Sequence, residues 1–260
     1  MNNELRKKGF TLIELLVVIV IIATLVAVAI PSARAIRSSY ESTGAEAMIS
    51  SAFSSARAMA AKHQRYTGVR FQKAYVDPND EPDPVKRLFP PQYMIFVAYD
   101  PNIRNGTQGN LGCRAVEGVK PVKLPDNIGV IEVVPNDSNY VDVELRNRTT
   151  FSILFSPTGK LIIHSLWVRN KDGFGNNTGT AANEDYSTDD IFNSINNVCN
   201  NGVGMFIQDP KADIELSEKE FIVYDKAKFK AVNINRRWTD YLSKLPVRYI
   251  NQYTGTMIEK

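Results

Sequence analysis

A long apolar stretch with a single acidic residue constrains this chain more than any other feature of its sequence. Residues 9–30 read GFTLIELLVVIVIIATLVAVAI, and Glu14 is the only charged side chain among them. A helix of this length spans roughly 30 Å, which matches the hydrocarbon core of a bilayer. The sequence therefore predicts a helix that crosses a membrane at residues 10–30.

Glu14 is the unusual residue of this stretch. A carboxylate inside a membrane helix costs about 2.5–3.5 kcal/mol on insertion scales, so it usually has a pairing partner or a function. Glu14 follows Phe10 by four residues, which is one helical turn. A cut after Gly9 would give Phe10 a new amino group, and that amine would neutralise a Glu14 carboxylate, most usefully one from a neighbouring copy. The alternative is that Glu14 merely extends towards the lipid headgroups.

These residues carry a resemblance to a known family. Residues 7–14 read KKGFTLIE, and together with the apolar run and Pro31 they resemble the class III leader and first helix of type IV prepilins and type II secretion pseudopilins. The resemblance implies a leader at residues 1–9, cleavage by a prepilin peptidase between Gly9 and Phe10, and N-methylation of Phe10. It also implies that Glu14 is the assembly residue, which brings subunits into register in a filament.

The same resemblance implies the partners and the location. The partners are the prepilin peptidase, other pilin or pseudopilin subunits, an inner-membrane assembly platform and membrane lipid. Arg6, Lys7 and Lys8 precede the apolar run, and the positive-inside rule then places the N-terminus in the cytoplasm and the head outside, in the periplasm or beyond the cell. Formal net charge is +3, much of it in the leader, so bulk charge gives no reason to expect a nucleic-acid partner.

A plain secretory signal or membrane anchor is the alternative for this segment. Ala27, Val28 and Ala29 resemble a signal-peptidase site, and basic residues precede the apolar core. The run is nevertheless long for a signal core, contains Glu14 and continues into a second helical segment. A structural subunit of a filament is therefore favoured over a membrane-anchored extracytoplasmic binding protein.

Helical spacing continues beyond the apolar run to His63. Ile36 and Tyr40 are four residues apart, and apolar residues between Ile49 and His63 recur at intervals of three and four. This pattern predicts one helix over residues 10–63, whose first half lies in lipid and whose second half lays an apolar stripe on a head domain. Pro31 is expected to kink or loosen the helix at the junction.

The head is expected to span residues 64–260 and to be rich in strands. Alternating apolar residues and turn signals predict short strands at residues 68–76, 92–99, 119–124, 128–134, 140–145, 151–155, 160–168, 204–208, 221–224, 247–251 and 256–259. The fold class is therefore α+β and pilin-like, with a long N-terminal helix packed on an antiparallel β-sheet. Residues 236–244 are predicted to be helical, and their Arg, Trp and Tyr residues either form a nucleic-acid patch or, as is more usual, pack inward.

Three short segments of the head add to the resemblance. The helical residues 56–61, KLPDNI at residues 123–128 and FSPTG at residues 155–159 resemble the minor, H-type pseudopilins and their FimT-like pilus relatives. The size of this chain departs from that pattern, because residues 170–245 exceed what such a head needs.

The sequence shows little of the residue spacing that is typical of catalytic or metal-binding sites. His63 and His164 are the only histidines, and neither has a zinc spacing or a neighbouring nucleophile motif, so we expect no enzyme and no cofactor. Calcium binding is the one metal alternative. Its candidates are the acidic loop at residues 77–84, for which a solvated loop is the better interpretation, and a carboxylate set in the polar stretch 170–190, namely Asp172, Asp185, Asp189 and Asp190.

Cys113 and Cys199 form one pair on the predicted outer side of the membrane, where a disulfide is permitted. A bridge between them would contribute about 4.5 kcal/mol in the chain-entropy model. Two buried free thiols are the alternative.

Overall fold

The computed structural model describes residues 12–74, 89–104, 111–116, 118–133, 148–162, 167–169 and 214–259. The chain divides into two compact units, Met1–Glu41 and Ser42–Lys260. Helix α1, Leu12–His63, runs through 52 residues and includes Pro31 without interruption. The predicted helix is thus confirmed wherever the structure describes it, while residues 10 and 11 lie outside the described part.

The strands of the second unit form antiparallel ladders. In chain order they are β1 Thr67–Lys73, β2 Gln92–Arg104, β3 Leu111–Ala115, β4 Val122–Lys123, β5 Ile128–Glu132, β6 Phe151–Phe155, β7 Trp167–Arg169, β8 Ile214–Leu216, β9 Glu220–Asp225, β10 Val247–Ile250 and β11 Met257–Glu259. Sheet 1 has the order β3-β2-β1-β6 with β4 also on β2, sheet 2 has the order β11-β10-β9-β5, and β7 pairs with β8. The α+β class is confirmed, but the described strands form three sheets rather than the single sheet that was expected.

A first core joins α1 to both larger sheets. Ile49, Phe53, Ala56 and Ala60 are buried on one stripe of the helix. The side chains that meet them come from sheet 1 and sheet 2, and include Val69, Phe71, Met94, Phe151, Ile153, Phe155, Val130, Phe221 and Ile250. The Phe53 ring lies edge-on to three other phenylalanine rings, with centroid distances of 6.2, 6.0 and 5.9 Å. Such pairs add about 0.5–1.5 kcal/mol each beyond their burial.

The buried stripe of α1 begins nearer the C-terminal end of the helix than the helical spacing of apolar residues suggested. Among the α1 side chains whose burial the structure describes, Ala45 is the first apolar one that is buried, whereas Ile36 and Tyr40 are 58% and 76% exposed. The helical spacing of Ile36 and Tyr40 therefore continues the pattern of the stripe without making these two residues part of its buried section, which includes Ile49, Phe53, Ala56 and Ala60. Spacing identifies one face of a helix but does not say where along the helix the covering domain begins.

The described residues after residue 213 form part of the sheets and cores of the head and are not an insertion into it. Sheet 2 takes three of its four strands from this part, and a second core covers its other face with Ile222, Tyr224, Phe229, Trp238 and Leu242. Only residues 170–213 of the region that exceeded the expected head lie outside the described residues. They are bounded by β7 and β8, whose pairing puts Arg169 opposite Ile214.

The predicted helix at residues 236–244 is interrupted. Helix α2, Lys226–Ala231, and helix α3, Arg237–Asp240, are short, and single 3-10 turns occupy Ile234–Arg236 and Leu242–Lys244. The break occurs at Tyr241, which has φ −131° and ψ −65°. Trp238 and Arg237 are 6% and 4% exposed, so their inward packing is confirmed.

Other strand predictions hold in part. The closing hairpin is confirmed as β10 paired with β11. Predicted strand 119–124 is reduced to β4, because the chain before it turns near Gly118. Of the strand predicted at residues 160–168, Leu161 forms an isolated bridge with Phe155, and Trp167 and Val168 pair with β8 as part of β7. Residues 163–166 lie outside the described residues. The predicted strands at residues 140–145 and 204–208 and the acidic loop 77–84 lie outside the described residues.

Candidate functional site

The N-terminal half of α1 presents a continuous apolar surface. The large apolar side chains that the structure describes between Leu12, at 79%, and Ile30, at 46%, are exposed. Monomeric soluble proteins rarely expose a contiguous apolar patch larger than a few hundred Å², and larger ones mark contact with lipid or protein. This surface is therefore the first candidate for a functional site.

Glu14 lies in the first turn of α1, exposed within that apolar surface. A carboxylate near a helix N-terminus is favoured by the helix dipole by about 0.3–1 kcal/mol. That interaction is local and does not by itself explain an acidic residue among apolar ones. Gly9 and Phe10, the predicted cleavage and methylation residues, lie outside the described part of the chain.

Among the residues that the structure describes, no helix meets the length and hydropathy required of a membrane span. The span expected at residues 10–30 stays a prediction.

An arginine on sheet 2 holds the helix in the second unit. Arg248 of β10 donates a hydrogen bond to Glu46 of α1 at 2.7 Å, and its guanidinium is also 2.7 Å from a carboxylate oxygen of Glu259. The Arg248 side chain is only 10% exposed, so the pairing is shielded from water far more than a surface ion pair. Glu46 and Arg248 are 202 residues apart in sequence, and no local pattern predicts that they meet.

A second arginine, Arg57 of α1, contacts the two turns that contain Gly159 and Gly255. Arg57 Nε donates to the carbonyl of Gly159 at 3.1 Å. Gly159 and Gly255 both have positive φ, at 77° and 62°, and a Cβ added to Gly255 would lie 2.4 Å from Cδ of Arg57. Leu161 N–H donates to the carbonyl of Gln252 at 2.9 Å, which joins the two turns directly. Gly159 lies in the predicted FSPTG turn, which is thus confirmed as a turn.

Gln92 connects the two larger sheets through its side chain. Its Nε2 donates to the carbonyls of Val130 and Thr149 at 2.9 and 2.8 Å, and Val130 N–H donates to its Oε1 at 2.7 Å. The residue is fully buried. The amide side chain therefore supplies to β5 the backbone partners that a neighbouring strand would otherwise give.

Two titratable groups of the head were missed by sequence reasoning. Burial raises the pKa of the Glu218 carboxyl to about 7, and the nearby Glu132 carboxylate adds to the rise. Burial lowers the pKa of the Lys226 amine to about 8, and its Nζ donates to the carbonyl of Pro90 at 3.0 Å. Neither residue belongs to a recognisable motif, because burial by distant segments creates both environments.

Cys113 lies in β3, on the face of sheet 1 that also contains Ile95, Val97 and Leu154. Its thiol is free in the structure, and burial raises its pKa to about 12. Cys199 lies outside the described residues, so the disulfide between Cys113 and Cys199 stays a prediction.

Within the described residues no group of three or more His, Cys, Asp or Glu side chains is placed to hold a metal ion. The calcium candidates Asp172, Asp185, Asp189 and Asp190 lie outside those residues and stay untested.

Comparison with protein families gives a match at the N-terminus. Residues 5–30 match the prokaryotic N-terminal methylation motif. The matched segment contains Gly9, Phe10 and Glu14, and it supports a relationship to type IV pilin and pseudopilin precursors, which a prepilin peptidase processes. Comparison with curated proteins and with solved structures gives no match.

Proposed function

We propose that this chain is a structural subunit, a minor pilin or pseudopilin, of a type II secretion or type IV pilus filament. A prepilin peptidase cuts it between Gly9 and Phe10 and methylates Phe10. The subunit is held in the inner membrane by residues 10–30, with its head outside, and an inner-membrane assembly platform moves it into the filament. The observation that carries this proposal is the match of residues 5–30 to the N-terminal methylation motif.

The exposed surface of α1 supports the same function. A helix that is apolar on all sides finds a favourable environment only in lipid or among other helices. Assembly moves the subunit from the first environment to the second, and Glu14 then gives the apolar helix one position at which a neighbour is recognised. Because Phe10 and Glu14 are four residues apart in sequence, pairing of the Phe10 amine of one subunit with Glu14 of its neighbour would fix the axial offset between the two subunits.

The contacts in the second unit support a mechanical role for the helix. The C-terminal part of α1 is held by the phenylalanine core, by Arg248 and by Arg57. A pull on this part of the helix is therefore transmitted to both sheets. The finer assignment to the minor, H-type group rests on the three short segments at residues 56–61, 123–128 and 155–159.

The competing function is a membrane-anchored binding protein outside the cytoplasm. It would share an anchor but would need neither leader cleavage nor subunit pairing. Mass spectrometry of the mature N-terminus separates the two. We expect a chain that begins with N-methylated Phe10, whereas an intact leader or a cut after Ala29 would contradict the proposal.

The leader can be tested by substitution. Gly9→Val places a branched side chain at the residue after which the peptidase cuts, and we expect the precursor to accumulate with its leader attached. Thr11→Val introduces the same side chain two residues later and should be cleaved normally. Equal processing of both variants, followed on gels, would contradict the assigned cleavage site.

Glu14→Leu tests assembly. The substitution removes the carboxylate but keeps the helix apolar, so membrane insertion and leader cleavage should be unchanged while entry into filaments falls at least tenfold. Thr24→Leu is the matched control, because Thr24 is an exposed polar residue of the same apolar segment whose hydroxyl donates only to its own helix, at 2.8 Å to Ile21. The readout is the amount of each variant in sheared filaments relative to its amount in the membrane. An undiminished ratio for Glu14→Leu would mean that Glu14 does not direct assembly.

A further inference from the structure

The corner between β8 and β9 is fastened to the edge of sheet 1 by two hydrogen bonds. Leu154 N–H donates to the hydroxyl of Ser217 at 2.9 Å, and Glu218 N–H donates to the carbonyl of Ser152 at 2.8 Å. Ser152 and Ser217 also form a parallel bridge. Because β8 pairs with β7, this corner connects the β7-β8 pair to sheet 1 on one side and sheet 2 on the other.

Charged groups crowd the side chain of Glu218 at this corner. Four charged residues act on its carboxyl, namely Glu132 at the end of β5, Arg148 ahead of β6, Lys219 just before β9 and Glu220 at the start of β9. Arg148 donates its hydrogen bond to Glu132 rather than to Glu218. Tyr249 of β10 donates to Glu220. Among the described contacts the Glu218 carboxyl takes part in no hydrogen bond or ion pair, although it is half-buried.

We propose that the Ser217–Glu218 corner is a proton-sensitive clasp that holds the β7-β8 pair on sheet 1 while Glu218 is protonated and loosens when Glu218 ionises. The physical reason is desolvation. A carboxylate at this position loses water and faces the Glu132 carboxylate, while opening the corner returns it to solvent.

The pH range follows from the two states of the corner. Glu218 has an ordinary pKa of 4.5 when exposed and a pKa of about 7 in the closed corner, so the closed corner binds the proton more tightly. Below pH 4.5 both states are protonated and the clasp is strongest. Between pH 4.5 and 7 the advantage of the closed state is lost, and above pH 7 it is absent. Without solvent screening, the difference between a pKa of 4.5 and a pKa of about 7 would change the equilibrium constant for opening the corner about 300-fold over the full titration. Solvent screening of a half-buried group reduces this full change to about ten- to thirtyfold.

Hydrogen exchange measured by mass spectrometry tests the clasp in the full chain, held in detergent micelles. Protection factors, corrected for intrinsic exchange, are compared at pH 5 and pH 8 for peptides that contain Leu154 and Glu218. We expect protection to fall about three- to eightfold at pH 8 in the natural chain, because the carboxyl of the open corner is already mostly ionised at pH 5. Protection should change less than about twofold in Glu218→Gln, which is isosteric and cannot ionise. Glu220→Gln is the control, and it should keep most of the pH response.

Two results would overturn the proposal. One is a pH response that is flat in the natural chain or equally large in Glu218→Gln. The other is an equal fall in protection throughout β1 and β9, because it would show that the whole unit is destabilised rather than the corner. Retained protection of β1 and β9, with loss confined to the corner, supports the clasp.

Discussion

Replacing Gln92 by leucine should destabilise the head more than the similar volumes of the two side chains suggest. Leucine nearly fills the space of the glutamine side chain, so the substitution leaves little cavity. It removes both the donor and the acceptor that face β5, and the Val130 N–H and the carbonyls of Val130 and Thr149 lose the partners that Gln92 supplies.

The magnitude follows from those three groups. Each buried polar group left without a partner costs about 1–3 kcal/mol. Gln92 is 0% exposed, so water does not reach the site without a rearrangement of the two sheets. Allowing for partial relaxation and for the favourable burial of leucine, we expect a loss of about 3–5 kcal/mol in the free energy of unfolding. That is a large part of the roughly 5–15 kcal/mol by which domains are stable.

Urea unfolding of the full chain in mild detergent measures this loss. Trp238 is 6% exposed in the second core, so its fluorescence reports unfolding of the head. Gln64→Leu is the matched control, because Gln64 also donates to a backbone carbonyl, that of Ala61 at 2.7 Å, but at an exposed position where water replaces the lost bond. We expect the control to change stability by less than about 0.5 kcal/mol.

A third substitution checks the chemistry of the site. Gln92→Glu keeps the acceptor for Val130 N–H but, when ionised, turns a carboxylate towards two carbonyl oxygens. Burial and repulsion raise the pKa of the introduced carboxyl in the folded state, so stability should fall as pH rises through that pKa. If Gln92→Leu loses no more than Gln64→Leu, the side-chain link between the sheets does not stabilise the fold and the reasoning is refuted.

Four glycine substitutions give further predictions. Gly255→Ala should lower the free energy of unfolding by about 2–3 kcal/mol, because the φ of Gly255 is +62° and the new methyl would meet Arg57 and Phe155. Gly118→Ala should lower it by only about 1 kcal/mol, because Gly118 has φ +77° but open space around the added methyl. Equal losses of the two variants in urea unfolding would contradict the role of Arg57. Gly68→Ala should prevent folding of the head, because its Cβ would lie 2.1 Å from the carbonyl oxygen of Ile153, and a soluble, cooperatively unfolding variant would contradict the β1-β6 geometry. Gly44→Ala should raise helix stability by about 1 kcal/mol, because Gly44 lies in α1 with nothing within 4 Å of the added methyl, and unchanged or lower thermal stability would contradict this.

The N-terminal segment could be interpreted from the sequence because its information is local. The N-terminal methylation motif at residues 5–30 is a linear pattern. The length of the apolar run alone also matches the thickness of a bilayer. Helical spacing from Ile49 to Ala60 likewise predicted the stripe of α1 that is buried. Residues 9 and 10 lie outside the described residues, so the structure adds nothing to that part of the prediction.

Tertiary contacts decided the remainder, because they join residues that are far apart in sequence. The sequence predicted strands such as β6, β9 and β10, but the division into two main sheets depends on which strand pairs with which. The pairing of β5 with β9 joins Ile128 to Asp225 and Glu132 to Phe221, which are far apart in sequence. The Arg248–Glu46 pair, the Gln92 link and the half-buried Glu218 arise only when distant segments fold together. Their physical cause is burial, since a polar side chain that is ordinary in water gains a strong partner or a displaced pKa only after other parts of the chain have removed the water.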